Sequence, residues 1–559
     1  MIRGVFLFLI GWVISHIITA IVLAIIYSKT FYIFSPFSLV SYYFHSLFTF
    51  HKVSGLVQFM FWFYLIVSTI PFGIYHILNP DNTVKKNKYG YAKFAQKQLI
   101  KKMGLNFNDG LIFGILRRNL FLRLFFPFLA KKVIKSKEPL STLLMAPPGT
   151  GKSAGIIIPT LLTLKNSVVV HDPKGELFDA TYKARLNLGH KILVFDIDDI
   201  NSVKFNPFAI NKIPTDPEQI KPYIVNIANI IFKGNKESGN SNFFINAAKN
   251  AFITTACFLV YKEGFTSIQK IRNKILEDDD IILTFKKMKE YEEKDFKTIN
   301  KNLLKTLERD VNSVLISSAS PDQWSGVMGS LTERLDYFSD PKIANIVDCD
   351  ISSFNADSIR KEKTSIYLKV KDKDRAKLQP VISMIFESLG TELISKMPEP
   401  GDSQITFILD EFVRLGRVDV LTELTSISRG YNFNQIFVIQ DLEQISNTYS
   451  KEYMSILESN CAYKIILKQN NYLTADRIAK IIGFKTDIRT SRSKKDSNII
   501  LSSQNNSDST STSEEGIYLV TPQDILNLNE NQCLIIVQGF AATPILADIC
   551  WWFKNKDLF

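Results

Sequence analysis

Hydrophobic and polar positions are spread unevenly along the 559 residues. Across 5–27 and again across 55–77 the chain has no Asp, Glu, Lys or Arg, and each run matches the roughly twenty apolar residues needed to cross hydrocarbon. Both are predicted to be transmembrane helices; the first shows no obvious small-residue cleavage site of the kind that ends a signal peptide. Lys85, Lys86, Lys88, Lys93 and Lys97 follow the second run, whereas the connecting loop offers only Lys29 and Lys52. The excess of positive charge predicts that both termini are cytoplasmic.

Beyond residue 80 the pattern changes to short apolar runs that end in polar clusters: "STLLMAPPGTGKS", "SVVVHDPKGE", "ITFILDEFVRLG" and "NQIFVIQ". Continuous apolar runs of this length, alternating with helical patterns, predict strands buried on both faces of a parallel sheet, an α/β fold. More residues separate "DPKGE" from "LDEF" than a minimal α/β core needs. The stretch in between has cap candidates at Ser238 and Ser241 and then a long apolar pattern to Gly264 without proline, which predicts an inserted all-alpha domain. The expected organisation is a membrane anchor (1–80), a first part of a nucleotide-binding domain (81–210), the all-alpha domain (211–340) and the second part (341–559). The Ser/Asn/Thr-rich tract 489–516 is expected to be a mobile loop within that second part. After it, Thr521 followed by Pro522 marks a helix start.

Composition narrows the choices only a little. Five cysteines, Cys257, Cys349, Cys461, Cys533 and Cys550, form no C-x-x-C pair, and the six histidines have no metal-site spacing, so the bulk reads as reduced and cytosolic. A net charge of +12 suits nucleic acid or an anionic membrane surface, but the Lys-, Asn- and Ile-rich usage of an AT-rich genome would produce it as well.

The chemistry lies at the strand ends. Ala146, Pro147, Pro148, Gly149, Thr150, Gly151, Lys152 and Ser153 fit the phosphate-binding loop G-x-x-x-x-G-K-[ST], with Ala146 in place of the first glycine. Gly149 and Gly151 let backbone amides close around phosphates, Lys152 is suited to reach the β- and γ-phosphates of ATP, and Ser153 to offer its hydroxyl to Mg2+. Hydrolysis also needs carboxylates at the end of a second strand. Asp410 is the expected Mg2+ ligand and Glu411 the group that polarises water. Gln440 ends a third strand in a sensor position, and Arg429, just before that strand, is either a trans-acting arginine or an ordinary surface residue. Asp172 and Glu176 are supporting candidates.

Taken together, these motifs resemble the TraG/TraD-type coupling proteins of type IV secretion, relatives of the FtsK and HerA translocases. "YGYAKFA", "APPGTGKS", "DPKGE", "FNPF", "LDEFVRLG" and "VIQDLEQI" occur in that family's order, and "ESNCAYKIILKQNNYLTADRIAKIIG" matches the segment after its sensor strand at Asn460, Thr474, Ala475 and Gly483. The resemblance implies a RecA-like P-loop domain with an all-alpha domain, homo-hexamers with ATP sites between subunits, and an inner-membrane location. It further implies family roles for Lys152, Asp410, Glu411, Arg429 and Gln440. The partners it implies are the secretion channel with its inner-membrane components, and a relaxase–DNA complex or protein effectors, with single-stranded DNA a possible ligand. An FtsK-like duplex motor would add a long linker and a DNA-reading C-terminal domain, neither of which is visible. A docking receptor that binds ATP with little turnover would not need Lys152, Asp410 and Glu411 intact.

Overall fold

The computed structural model describes residues 89–117, 131–232, 240–277, 280–493 and 509–558; the predicted spans 5–27 and 55–77 lie outside the described residues. The strands are β1 (Leu111–Leu116), β2 (Val133–Ser136), β3 (Thr142–Met145), β4 (Ser167–Asp172), β5 (Lys191–Asp196), β6 (Thr364–Lys369), β7 (Ile405–Leu409), β8 (Phe433–Ile439), β9 (Tyr463–Ile466), β10 (Phe484–Ser493), β11 (Ser509–Tyr518), β12 (Gln532–Val537) and β13 (Ile545–Asp548). Eleven of them make one sheet in the order β2-β1-β13-β12-β9-β3-β8-β7-β4-β6-β5. From β9 to β5 every pairing is parallel, while β12, β13, β1 and β2 extend the sheet antiparallel.

The apolar runs form central strands because both faces of the sheet are covered. Leu143, Met145, Val169, Phe407 and Leu409 pack on one face, together with the helix Arg375–Ser395 and the helical insertion. Their neighbours Leu144, Val168, Val170 and Ile408 pack on the other face, beneath Ile158–Thr163 and Glu176–Asn187. Each of these large apolar side chains contributes roughly 1.5–3 kcal/mol by leaving water, and alternation with period two assigns them to opposite sides.

Between β5 and β6 stand the helices of the insertion, chief among them Pro217–Ile231, Asn240–Glu263, Lys301–Ser317 and Pro321–Leu335. Asn240–Glu263 is apolar and long enough to cross a membrane, yet Ala248, Ala251, Phe252 and Ala256 are fully buried against its neighbours. It is the core helix of the insertion and stops at Gly264, whose φ of +83° lets the chain turn away. The "FNPF" motif makes the joint to the sheet. Asn206, fully buried, donates its amide hydrogens to the carbonyls of Thr266 and Cys349 at 2.6 and 2.7 Å, and its Oδ1 accepts from the Phe208 N–H at 2.9 Å. Ser352 Oγ donates to the Asn206 carbonyl, so the strands of chain entering and leaving the insertion are laced together.

One expectation fails. The two flanks of the tract 489–516 are strands rather than loop: β10 and β11 pair antiparallel from Phe484↔Tyr518 to Ser493↔Ser509, and 494–508 lie outside the described residues. A hairpin satisfies its backbone across the ladder and needs little apolar burial, and threonine favours extended backbone. The base of the arm also holds the start of the described chain. Ala92 N–H donates to the Phe484 carbonyl and Thr486 N–H to the Gly90 carbonyl, at 3.0 and 3.1 Å. Gly90 is required there, because a Cβ would lie 2.0 Å from the Phe484 oxygen.

Candidate active site

All the parallel strands send their C-terminal ends to one edge of the sheet, and β8 lies between β3 and β7. The phosphate loop after β3, the carboxylates after β7 and Gln440 after β8 therefore meet. Within the loop, Gly149 and Gly151 have φ of +80° and +88°, and the Thr150 hydroxyl donates to the Pro147 carbonyl at 2.7 Å to close the turn. Gly151 is hemmed in as well, since a Cβ there would lie 2.1 Å from the Trp551 ring. Ala146 departs from the glycine consensus at no cost: it is fully buried, is absent from the positive-φ residues, and donates its N–H to the Ile439 carbonyl. Ser153 opens a π-helical turn, Ser153–Ile157, ahead of the α-helix Ile158–Thr163; Pro159 has no N–H to give to the preceding turn, which favours the wider spacing.

Lys152 Nζ lies 3.0 Å from Asp410 Oδ1 and 3.6 Å from Glu411 Oε1. Arg414 Nε is 2.6 Å from Glu411 Oε2, and Arg414 Nη1 is also paired with Asp372. These are ion pairs approached off the hydrogen-bonding direction, because Asp410 Oδ1 and Glu411 Oε2 accept no hydrogen bond although buried. Buried carboxylates call for a cation, a need met here by Lys152 and Arg414, and hard oxygen donors of this kind suit Mg2+. The residues therefore fit a Mg2+–nucleotide complex.

Two supporting residues were not legible in the motif. Arg414 is one. The other is buried His171, whose Nδ1 lies 2.6 Å from the Asp410 carbonyl; a carbonyl only accepts, so this nitrogen carries the hydrogen. Burial pushes the His171 pKa down, keeping the ring neutral. It pins the backbone just where Glu411 takes the left-handed conformation, φ 52°, which costs a non-glycine residue roughly 1–2 kcal/mol. A polar residue one position before the end of an apolar strand was the available signal.

The remaining candidates divide. Gln440 joins Lys152, Glu411 and Arg414 around a narrow cleft of about 20 Å³, with its Oε1 accepting from Gln444 Nε2 at 3.0 Å. Asp172 accepts the Phe178 N–H at 2.8 Å as a helix cap, and burial, helped by the nearby Asp410 charge, pushes its pKa up to about 6. Glu176 is exposed in the first turn of the following helix. Arg429 is not brought to its own phosphate loop. It precedes β8, its side chain is 71% exposed, and its Nη2 lies 3.6 Å from Glu138, which precedes β3, so it sits at the opposite edge of the sheet.

A phosphate loop and a carboxylate pair on parallel strands, with a polar-tipped strand between them, define a RecA-like P-loop nucleotide-binding fold. Over residues 93–559 the chain matches the family described as type IV secretory system conjugative DNA transfer, and it belongs to that family. It is 25% identical over 412 residues to the protein VirD4 of Rhizobium radiobacter, covering 72% of this chain and 56% of VirD4, so it spans little more than half the length of that relative. In fold it is similar to the bacterial conjugative coupling protein TrwBΔN70, with a TM-score of 0.57 at 14% identity over 84% of this chain and 96% of that one. TrwB in complex with ADP and Mg2+ aligns with a TM-score of 0.55 at 13% identity over 82% and 94%.

Proposed function

We propose that this chain is a membrane-anchored coupling ATPase, using ATP and Mg2+ to deliver a relaxase–DNA complex or protein effectors to a type IV secretion channel. The observation that carries the reading is Lys152 held between Asp410 and Glu411. On nucleotide binding Lys152 turns from the carboxylates to the β- and γ-phosphates, leaving Asp410 and Ser153 to hold Mg2+. Bound Mg2+ supplies charge neutralisation at the phosphates. Glu411, freed from Lys152, polarises the attacking water, and Gln440 reads the state of the γ-phosphate from the strand between. TrwB takes up ADP and Mg2+ on the same fold, which supports the same pair here. The predicted spans 5–27 and 55–77 supply the inner-membrane anchor with both termini cytoplasmic, and a homo-hexamer would set each ATP site between subunits.

Turnover by the full chain in lipid nanodiscs, with and without single- and double-stranded DNA, tests this. We expect ATP hydrolysis that disappears in Lys152→Ala and rises with DNA. Absence of Lys152-dependent turnover in every condition would make the chain an ATP-binding docking receptor instead.

The far-edge position of Arg429 supports its action on a neighbouring subunit's nucleotide, where an arginine stabilises transition-state charge. Mixing inactive Arg429→Ala subunits with inactive Lys152→Ala subunits should then restore part of the ATPase, because some interfaces regain both groups. No recovery at any mixing ratio would return Arg429 to the surface.

A further inference from the structure

On the β8 side of the phosphate loop, Lys152, Glu411, Arg414 and Gln440 leave a cleft of only about 20 Å³. A triphosphate lies along such a loop with its γ-phosphate at the carboxylates, so the nucleoside emerges on the other side. Here that side is β9, which pairs with β3 opposite β8. A cavity of about 190 Å³ opens there, bounded by Gly149 and Thr150 of the loop and by Lys468, Asn470, Glu530 and Ile549.

Strand register brings these residues together from three distant segments. Lys468 and Asn470 follow β9, Glu530 precedes β12 and Ile549 follows β13. β12 runs antiparallel to β9 (Leu534↔Ile466) and β13 antiparallel to β12 (Gln532↔Asp548), so all three segments reach the sheet edge that carries the loop. Direct contacts hold them there. Gln469 Nε2 donates to the Met145 carbonyl, at the end of the loop's own strand, at 3.1 Å. The Ile549 N–H donates to the Asn531 carbonyl at 2.8 Å, and Trp551 Nε1 to Asn531 Oδ1 at 2.9 Å. Ile549 and Trp551 in turn press on the loop and its helix, since a Cβ at Gly155 would lie 2.2 Å from Ile549 and one at Gly151 2.1 Å from Trp551. Glu530, next to Asn531, is thereby fixed beside the loop with its side chain exposed to the cavity. A carboxylate so near a phosphate site is unfavourable by like charge, which Lys468 in the same lining offsets. Being acceptor-only, it suits a pair of neighbouring hydroxyl donors, the use an acidic residue has on the ribose in dinucleotide folds.

We propose that this cavity is the nucleoside subsite of the ATPase and that Glu530 is a specificity residue, accepting hydrogen bonds from the ribose hydroxyls. The proposal rests on the ATPase reading above, and its test separates the two. Binding of ADP, of 2′,3′-dideoxyADP and of pyrophosphate, each with Mg2+, is measured by calorimetry on the full chain in nanodiscs, for the parent and for Glu530→Ala, Glu530→Gln and Lys152→Ala. The parent should bind ADP roughly fivefold tighter than the dideoxy analogue. Glu530→Ala should bring that ratio to about one, through weaker ADP binding and not through any loss of pyrophosphate. Glu530→Gln, which keeps an acceptor oxygen, should retain part of the preference. A purely structural role for Glu530 would move all three ligands together and leave the ratio alone. A ratio near one in the parent, or a ratio that survives in Glu530→Ala, overturns the proposal. Binding of ADP and pyrophosphate that is indifferent to Lys152→Ala overturns the phosphate-loop reading instead, and the ratio in Glu530→Ala still decides the subsite. ADP that does not bind at all overturns both.

Discussion

Replacing Glu411 by glutamine is expected to lower kcat for ATP by about 10²–10⁴-fold while leaving nucleotide affinity nearly unchanged. The substitution keeps the size of the side chain and its left-handed backbone, supported from outside by the His171 bond to the Asp410 carbonyl. It removes the charge that orients and polarises water. Lys152, Ser153 and Asp410, the groups assigned to phosphates and metal, are untouched, so a fluorescent ATP analogue should bind the variant as it binds the parent. Arg414 and Lys152 would each lose one anionic partner, but each keeps another in Asp372 and Asp410, which limits rearrangement. Turnover close to that of the parent would move the water-activating role to another carboxylate, with Asp172 next to be tested. A parallel loss of binding would mean that Glu411 holds the metal with Asp410.

The site was readable in the sequence as far as its parts are local. The phosphate loop is contiguous, and its strand is buried at every position and mostly apolar because both sheet faces are covered; the same holds for β7 before Asp410 and Glu411. What the sequence hid depends on partners distant along the chain. His171 acts on Asp410 across 239 positions, through the pairing of β4 with β7. Trp551 closes against Gly151 because the last strands return beside β9, next to the phosphate-loop strand. The hairpin β10–β11 was missed for another reason. Its composition is that of a disordered tract, and only the cross-strand register turns serines and threonines into a ladder. Asp172, one residue beyond His171, accepts the Phe178 N–H in the first turn of the following helix, a partner that no spacing in the sequence announces.

Arg185 gave no sequence signal at all, and its replacement by methionine is expected to cost about 3–5 kcal/mol of stability. The side chain is wholly buried in the last turn of Glu176–Asn187. Nε donates to Ser365 Oγ at 2.9 Å and Nη2 to the Asn166 carbonyl at 2.6 Å, while Nη1 donates to the carbonyls of Leu164 and Leu161. Burial pushes its pKa down to about 10, so it remains a cation at neutral pH. No carboxylate pairs with it among the described residues; it is solvated by the carbonyl end of the phosphate-loop helix, where the helix dipole favours positive charge. Methionine would fill much of the volume and leave those carbonyls buried without donors. Lysine, a single point donor, could serve only some of them and should fall in between. The two substitutions should lower the urea midpoint of the detergent-solubilised protein in that order. Because Arg185 caps the end of the helix remote from Lys152, kcat measured well below the unfolding transition should stay within about twofold of the parent, in line with the usual insensitivity of distant sites. A methionine variant that loses less than about 1 kcal/mol would mean that water reaches these carbonyls, and that the arginine is not what holds the helix end.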